Sequence, residues 1–350
     1  MGWILFWLDR ALSGSLFFLC ALYPAAVCAQ GASPEYFRGK QITVIAGDAP
    51  GSAYTKYAQL VQRHLGRYLP GAPTLNIKLM PGADSLIAAN YLNEVAPKDG
   101  TVIAALYRGL PTEPLLTGEE TQGKLDPRSL RWIASLNGEV SLAIAWHTAK
   151  VSTAAQLRER TLMVPIGGVA GDAAVFGSLL NTFAGTRFKM ICCYQGTAAQ
   201  DLAMERGEIE GRLNFSWDNL KRLRKDWIDQ KWVVPLLQFS TVAHSELKHL
   251  PLATELIERP EDRQIMEIAL SRQSMGRPYA APPGTQPAVM ALLRQGFDQM
   301  VRDQDFLADA EKSSLEINAP MGGEQIEALI ARVYATDAGA LERLRKAARP

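Results

Sequence analysis

The chain has 350 residues, 47% hydrophobic and 21% charged, with a formal net charge of +1. A chain of this length and apolar content can bury a real core, and its size points to two domains. The nearly balanced charge excludes a broad electrostatic footprint for nucleic acid or an anionic membrane surface, so any specificity must come from a local site.

The chain begins as a secretion-type leader. Leu12 to Val27 is almost wholly apolar, follows a short segment containing Arg10, and ends in Val27-Cys28-Ala29, a small-residue cleavage pattern before Gln30. Asp9 offsets Arg10 and Trp3 to Leu8 is already hydrophobic, which leaves a retained N-terminal anchor as the alternative. The expectation is a signal peptide over residues 1–29, export to the periplasm, and a soluble chain from Gln30. After the leader no apolar run reaches the roughly 18 residues of a spanning helix.

Gln41 to Ala46 reads as a strand, apolar at Ile42, Val44 and Ile45, as expected of a strand covered by helices on both faces. A loop with Gly51 and Ser52 follows. Ser52 can N-cap a helix on which Tyr57, Leu60, Val61, Leu65 and Tyr68 keep helical spacing until Pro70-Gly71 stops it. Backbone N–H groups and the positive end of a helix dipole then point at one spot, which suits an anionic ligand.

The unit repeats. Thr74 to Leu79 is a strand, Pro81-Gly82-Ala83-Asp84 a tight loop, Ser85 to Val95 a helix, and Thr101 to Leu106 a third strand after the turn Pro97-Lys98-Asp99-Gly100. Alternating strands and helices of this kind are the signature of parallel α/β layers. Three such strands deliver three loops to one sheet edge, where open α/β sheets bind ligands.

A second block begins near Leu136. Leu142 to Trp146 and Thr161 to Ile166 read as strands, Gly167 to Asp172 as a loop and Ala173 to Phe183 as a helix. Lys189 to Tyr194 reads as the next strand, Gln195-Gly196-Thr197 as its loop, and Ala198 to Arg206 as a helix ending at Gly207. Cys192 and Cys193 are adjacent and cannot staple distant segments; of a vicinal disulfide and a pair of buried strand thiols, the thiols are the expectation. In the last third, Val289, Leu292, Leu293, Phe297, Met300 and Val301 form one apolar stripe, and Ile326, Leu329, Ile330 and Val333 another, both expected to pack on the first domain.

Catalytic signals are thin. His64, His147, His244 and His249 are scattered, and the last two, five apart, do not share a helix face as a zinc pair would. No nucleophile elbow, phosphate loop or dinucleotide fingerprint is present. Glu208 and Glu210 sit between Gly207 and Gly211 as a solvated turn leading into a strand, not as a glycosidase pair. Lys221, Arg222, Arg224 and Lys225 alternate with Leu220, Leu223 and Trp227, the pattern of an ordinary surface helix. The expectation is a non-enzyme without cofactor, metal or nucleic-acid partner.

Taken in order, PGSAYTKYAQLVQRHLGRYLPG, MPGADSLIAANYL, APKDGT and YQGTAAQDLAMERGEIEG followed by SW resemble the substrate-binding receptors of tripartite tricarboxylate transporters, the Bug-type receptors. The resemblance runs from about Pro34 to the last helix. It implies an α/β type II periplasmic-binding-protein fold, two α/β domains joined by two crossovers with a ligand cleft between them. The expected division is residues 30–138 plus 242–350 for the first domain and 139–241 for the second.

The implied function is a monomeric periplasmic receptor that captures a small organic acid by domain closure and delivers it to the membrane permease of such a transporter. A ligand-sensing receptor for a signalling partner and a secreted hydrolase are the alternatives. The resemblance carries the binding loops to Gly51, Ser52, Ala53, Tyr54 and Thr55, and to Gly82, Ala83, Asp84 and Ser85. From the second domain it adds Gly168, Gly171 and Asp172, then Tyr194, Gly196 and Thr197, and Ser216. Arg108, following the third strand, is a candidate carboxylate clamp or a solvated loop arginine.

Two departures from the family pattern, one in each loop, bear on the ligand. Ser52 and Thr55 stand where relatives have a glycine and an acid, and Asp84 stands where they have glycine. A carboxylate about 4 Å from a ligand carboxylate opposes it by about 4 kcal/mol at an effective dielectric of 20. Either Asp84 turns away to cap the helix starting at Ser85, the favoured expectation, or the ligand is less anionic than a dicarboxylate or carries a cationic group.

Overall fold

The computed structural model describes residues 35–117, 125–168, 171–194 and 196–348. The leader, Val169-Ala170 and Gln195 therefore lie outside the described residues.

The strand run QITVIA forms β1 (Gln41–Ala46), which pairs in parallel with β2 (Thr74–Leu79) on one side and β3 (Val102–Ala105) on the other. Helix α1 (Ala53–His64) follows β1, α2 (Leu86–Glu94) follows β2, and the short α3 (Glu113–Thr117) follows β3. β1 alternates as a doubly covered strand should. Ile42, Val44 and Ala46 face a core with Tyr57, Leu60 and Phe297, while Ile45 faces Ala88, Leu92 and Trp132.

The sheet is not parallel throughout. β4 (Arg131–Ser135), β10 (Pro278–Ala281) and the two-residue β11 (Met321–Gly322) extend it in the order β11-β4-β10-β3-β1-β2, with β10 antiparallel to both neighbours. The reason is topological: β10 is reached only after the chain has gone out to a second set of strands and come back.

That second set contains β5 (Ser141–Trp146), β6 (Leu162–Pro165), β7 (Phe188–Ile191), β8 (Gly211–Ser216) and β9 (Val233–Phe239). They form an antiparallel sheet β8-β5-β9 and a parallel pair β6-β7. Helices α4 (Asp172–Phe183), α5 (Gly196–Glu205), α6 (Trp217–Leu223) and α7 (Lys225–Asp229) connect them. Helix α8 (Pro260–Leu270) and the last helix α12 (Ala338–Ala347) also pack here, placing Ile265, Met266 and Leu344 in one core with Val164, Phe176 and Leu179. Helices α9 (Pro287–Met300), α10 (Gln304–Lys312) and α11 (Gly323–Tyr334) return to the first sheet, α9 and most of α11 as their apolar stripes predict, while Val333 at the end of α11 joins the core of the second set.

Two chain passages join the sheets side by side. Residues 137–139 and 273–277 are held together where Gly276 N–H donates to Asn137 O at 2.9 Å and Glu139 N–H to Gln273 O at 2.8 Å. A Cβ on Gly276 would lie 2.4 Å from Asn137 Oδ1, so only glycine lets the two passages approach this closely.

Two sequence expectations are corrected. Cys192 and Cys193 are not buried strand thiols: β7 stops at Ile191, and the cysteines form a vicinal disulfide in an exposed turn. The basic run does not lie on one helix. It breaks at Arg224 between α6 and α7, so Leu220 and Trp227 are fully buried while Leu223 is 63% exposed. Among the described residues no helix is long and apolar enough to cross a membrane.

Candidate functional site

Parallel pairing sends the loops after β1, β2 and β3 to one edge, and Ser85 ties them together. Its hydroxyl donates to Gly47 O at 3.0 Å and accepts from Tyr107 N–H at 2.9 Å, with Ser85 itself 2% exposed. A Cβ on Gly47 would meet Ser85 Oγ at 2.6 Å, which accounts for glycine at the end of the strand.

The first loop is built from its own polar residues. Ser52 caps α1 as expected, its Oγ accepting from Thr55 N–H at 3.2 Å, and Thr55 Oγ1 donates to Ala49 O at 2.8 Å. Thr55 is thus buried under the loop rather than presented to a ligand, whereas Gly51 and Ala53 are exposed. Tyr54 packs edge-on against Tyr107 with ring centroids 5.9 Å apart, and its hydroxyl accepts from Arg108 N–H at 3.2 Å. Burial pushes its pKa up against the pull of Arg277 and Arg108.

The second loop corrects the expectation for Asp84. Gly82, Ala83, Asp84 and Ser85 all have positive φ, the last three at 46°, 48° and 70°, and α2 begins at Leu86 with Ser85 in the cap position and no side-chain cap. A left-handed residue there aims its side chain away from the first-turn amides, so Asp84 cannot cap. Its exposed carboxyl instead senses the other side of the cleft: partial desolvation, then Asp48 and Asp172, raise its pKa, and Arg272 opposes them. Asp84→Gly should raise stability by about 1 kcal/mol, because left-handed backbone costs an L-residue about that much. An unchanged or lower melting temperature would mean that the carboxylate holds a stabilising contact.

Arg108 is neither a solvated arginine nor an open clamp. It is 6% exposed, and its Nε and Nη2 donate to Asp172 Oδ2 at 3.0 and 2.6 Å while Nη1 pairs with Glu139. Arg272, fully buried, donates to Asp172 Oδ1 at 2.8 Å and Thr112 Oγ1 at 3.0 Å and lies 3.6 Å from Glu113. Arg277 pairs with Glu139 at 3.2 Å and lays its guanidinium 4.7 Å from the Tyr54 ring centroid. Three guanidinium groups thus face three carboxylates. Burial alone would raise the pKa of Asp172, but the charges of Arg108 and Arg272 outweigh it and hold the carboxyl at about 2.

Asp172 is the first residue of α4, so this cluster joins the loop after β3 to the second set of strands through the two passages at 137–139 and 273–277. Tyr107 adds a hydroxyl 3.4 Å from Asp172 Oδ1. Gly168 and Gly171 shape the approach, Gly171 N–H donating to Gly168 O at 3.3 Å. Tyr194 bonds Ile166 O through its N–H at 3.0 Å and half-buries its ring, and Gly196 and Thr197 are the exposed first residues of α5. Ser216 caps α6, accepting from Asn219 N–H at 3.4 Å.

Sequence reading missed Glu139, Arg272 and Arg277. Glu139 and Arg277 lie on the two connecting passages and Arg272 directly before the second, where there is no periodic pattern, and their pairing exists only once the passages run side by side. Glu210 is structural, accepting from Met163 N–H at 3.0 Å. Among the described residues no group of three His, Cys, Asp or Glu side chains is placed to hold a metal ion.

No protein-family model and no curated protein sequence matches the chain. Solved structures do. A TctC solute-binding protein from Polaromonas superposes with a TM-score of 0.66 at 19% identity, over 87% of this chain and 98% of that one. The R. palustris protein Rpa4515, solved with adipate, gives 0.62 at 16% identity over 88% and 97%. The periplasmic binding protein BugD gives 0.59 at 16% identity over 88% and 97%. With the strands, passages and loop edge described above, these likenesses establish that the chain has the α/β type II periplasmic-binding-protein fold, as found in TctC- and Bug-type solute-binding proteins.

Proposed function

We propose that this chain is a periplasmic solute-binding receptor, not an enzyme, which captures a small organic acid by closing two domains over it and hands it to the permease of a tripartite tricarboxylate-type transporter. The carrying observation is the convergence of three strand-end loops on the N-terminus of α4, beside two chain passages that can act as a hinge. In such a geometry a ligand touching both sides shifts an open–closed equilibrium. The adipate held by the Rpa4515 protein supports a carboxylate as the ligand class.

The division into residues 30–138 with 242–350, and 139–241, belongs to this proposal, as does action as a monomer. So do the binding loops 51–55, 82–85, 168–172 and 194–197. The test is thermal. Protein refolded to strip any ligand is melted against mono-, di- and tricarboxylates, with amino acids for comparison. A ligand at about 100 times its Kd adds about 2.7 kcal/mol, a shift of several degrees. A flat panel of acids would defeat the reading.

A further inference from the structure

The parallel ladder of β6 and β7 slips by one residue at the two cysteines. Its register is regular from Leu162 beside Phe188 to Pro165 beside Ile191, and Ile166 N–H donates to Ile191 O at 3.0 Å in step with it. The next bond of a regular ladder would run from Cys193 N–H to Ile166 O. It comes instead from Tyr194 N–H, at 3.0 Å, so one extra residue stands out of the ladder. The side chains follow the slip. Phe188 and Met190 face the core of Val164 and Phe176, and two-residue alternation would send Tyr194 the same way, but Tyr194 packs on the core that holds Phe215 and Trp227.

The disulfide accounts for the slip. Neighbouring strand residues point to opposite faces, whereas bonded sulfurs on neighbouring residues must lie on one side of the chain, so Cys192 and Cys193 cannot both be strand residues while joined. The bond encloses no residue between its ends, so it restricts the unfolded chain little and adds little global stability. Both cysteines are exposed, and exposed disulfides are the readily reduced ones. The turn also reaches the next helix, because Tyr194 O accepts from Gln200 Nε2 of α5 at 3.3 Å.

We propose that Cys192 and Cys193 are a reversible redox site for a dithiol reductant, and that its oxidation state sets the register at the end of β7 and the face on which Tyr194 lies. One thiolate of the dithiol attacks a cysteine sulfur, the S–S bond breaks, and the other cysteine leaves as a thiolate that takes a proton. The second thiolate of the dithiol then displaces the mixed disulfide, so two electrons and two protons pass to the cysteines and the dithiol departs as a disulfide. With the bond gone the thiols alternate, Cys193 N–H takes over Ile166 O, and Tyr194 swings to the side of Phe188 and Met190. Tyr194 is a ligand contact in the receptor reading, on which one consequence rests: the oxidised form holds an organic acid more tightly than the reduced form.

The test treats the folded wild type with dithiothreitol, alkylates it with iodoacetamide and reads the tryptic peptide 190–206 by mass spectrometry. Both cysteines should carry the alkyl group after reduction and neither before. Amide exchange resolved by NMR should find Tyr194 protected and Cys193 unprotected in the oxidised form, with the order reversed after reduction. Calorimetry with adipate should give about tenfold weaker binding in the reduced form. The double variant Cys192→Ser, Cys193→Ser should match that form and ignore dithiothreitol. Alkylation before reduction, or a pair still closed after it, would overturn the redox site, and Tyr194 protection that survives reduction would overturn the change of register. Adipate affinities within about twofold in the two forms would sever the link to the ligand. A chain that binds no organic acid in either form, yet exchanges its amide protection on reduction, would defeat the receptor reading and leave the redox site standing.

Discussion

Asp172→Asn should destabilise the protein by about 3 kcal/mol, toward the low end of what removing one partner from a buried ion pair costs. Asp172 is 4% exposed and bonds both Arg108 and Arg272, so the substitution leaves two buried guanidinium groups short of charge. Glu139 and Glu113 remain beside them, which keeps the loss from being larger. The acid limb of the stability profile should change as well. The folded pKa of about 2 lies below the ordinary aspartate value of about 3.9. Asp172 therefore contributes stability above about pH 4 and loses that contribution as pH falls toward 2. In the variant this part of the acid limb should vanish, leaving that of Glu139, whose pKa is also lowered by Arg108 and Arg277 against the effect of burial. Denaturant melts at pH 7 and pH 3 measure both effects. A loss at pH 7 below about 1 kcal/mol, with the wild-type acid limb intact, would show that the cluster does not hold the two sides together.

Trp227→Ala should cost about 3–5 kcal/mol, the range for truncating a large buried aromatic. Trp227 is fully buried against Trp146 and Phe215, with ring centroids 5.1 and 6.0 Å away, and the Arg224 guanidinium lies 4.5 Å from its own centroid. The same core holds Leu220 of α6, so this tryptophan buttresses the helix that brings Ser216, Asp218 and Arg222 to the cleft. The variant should therefore lose binding of any ligand found in the thermal panel before it loses its fold, with hydrogen exchange accelerated first across residues 217–229. Unfolding free energy within 1 kcal/mol of wild type would contradict the packing role. It would also reopen the basic run as an element used for something other than its own core.

Much of the architecture was legible in local patterns. The strand at Gln41–Ala46, the serine cap on α1, the loop after β2 and the apolar stripes of α9 and α11 each follow from residues close together in the chain, through periodicity and capping. The order of these units, alternating strand, glycine loop and helix, pointed to α/β layers, and the resemblance of their motifs to a receptor family pointed to the binding-protein fold. The site was legible only as a set of loops. Which way a side chain faces in a loop depends on backbone angles that sequence does not fix, and Asp84, left-handed instead of capping, is the clearest case. The vicinal disulfide was missed because two adjacent cysteines read equally well as strand thiols until β7 is seen to end before them.

The sequence by itself determined the elements and the edge at which their loops meet, because hydrogen-bond periodicity and apolar burial act over short stretches of chain. Only the tertiary structure decided the charges of the cleft. Arg108, Glu113, Glu139, Asp172, Arg272 and Arg277 are separated by up to 169 residues, and their pairing is Coulombic and depends on distance in space, so no local pattern could show that they neutralise one another.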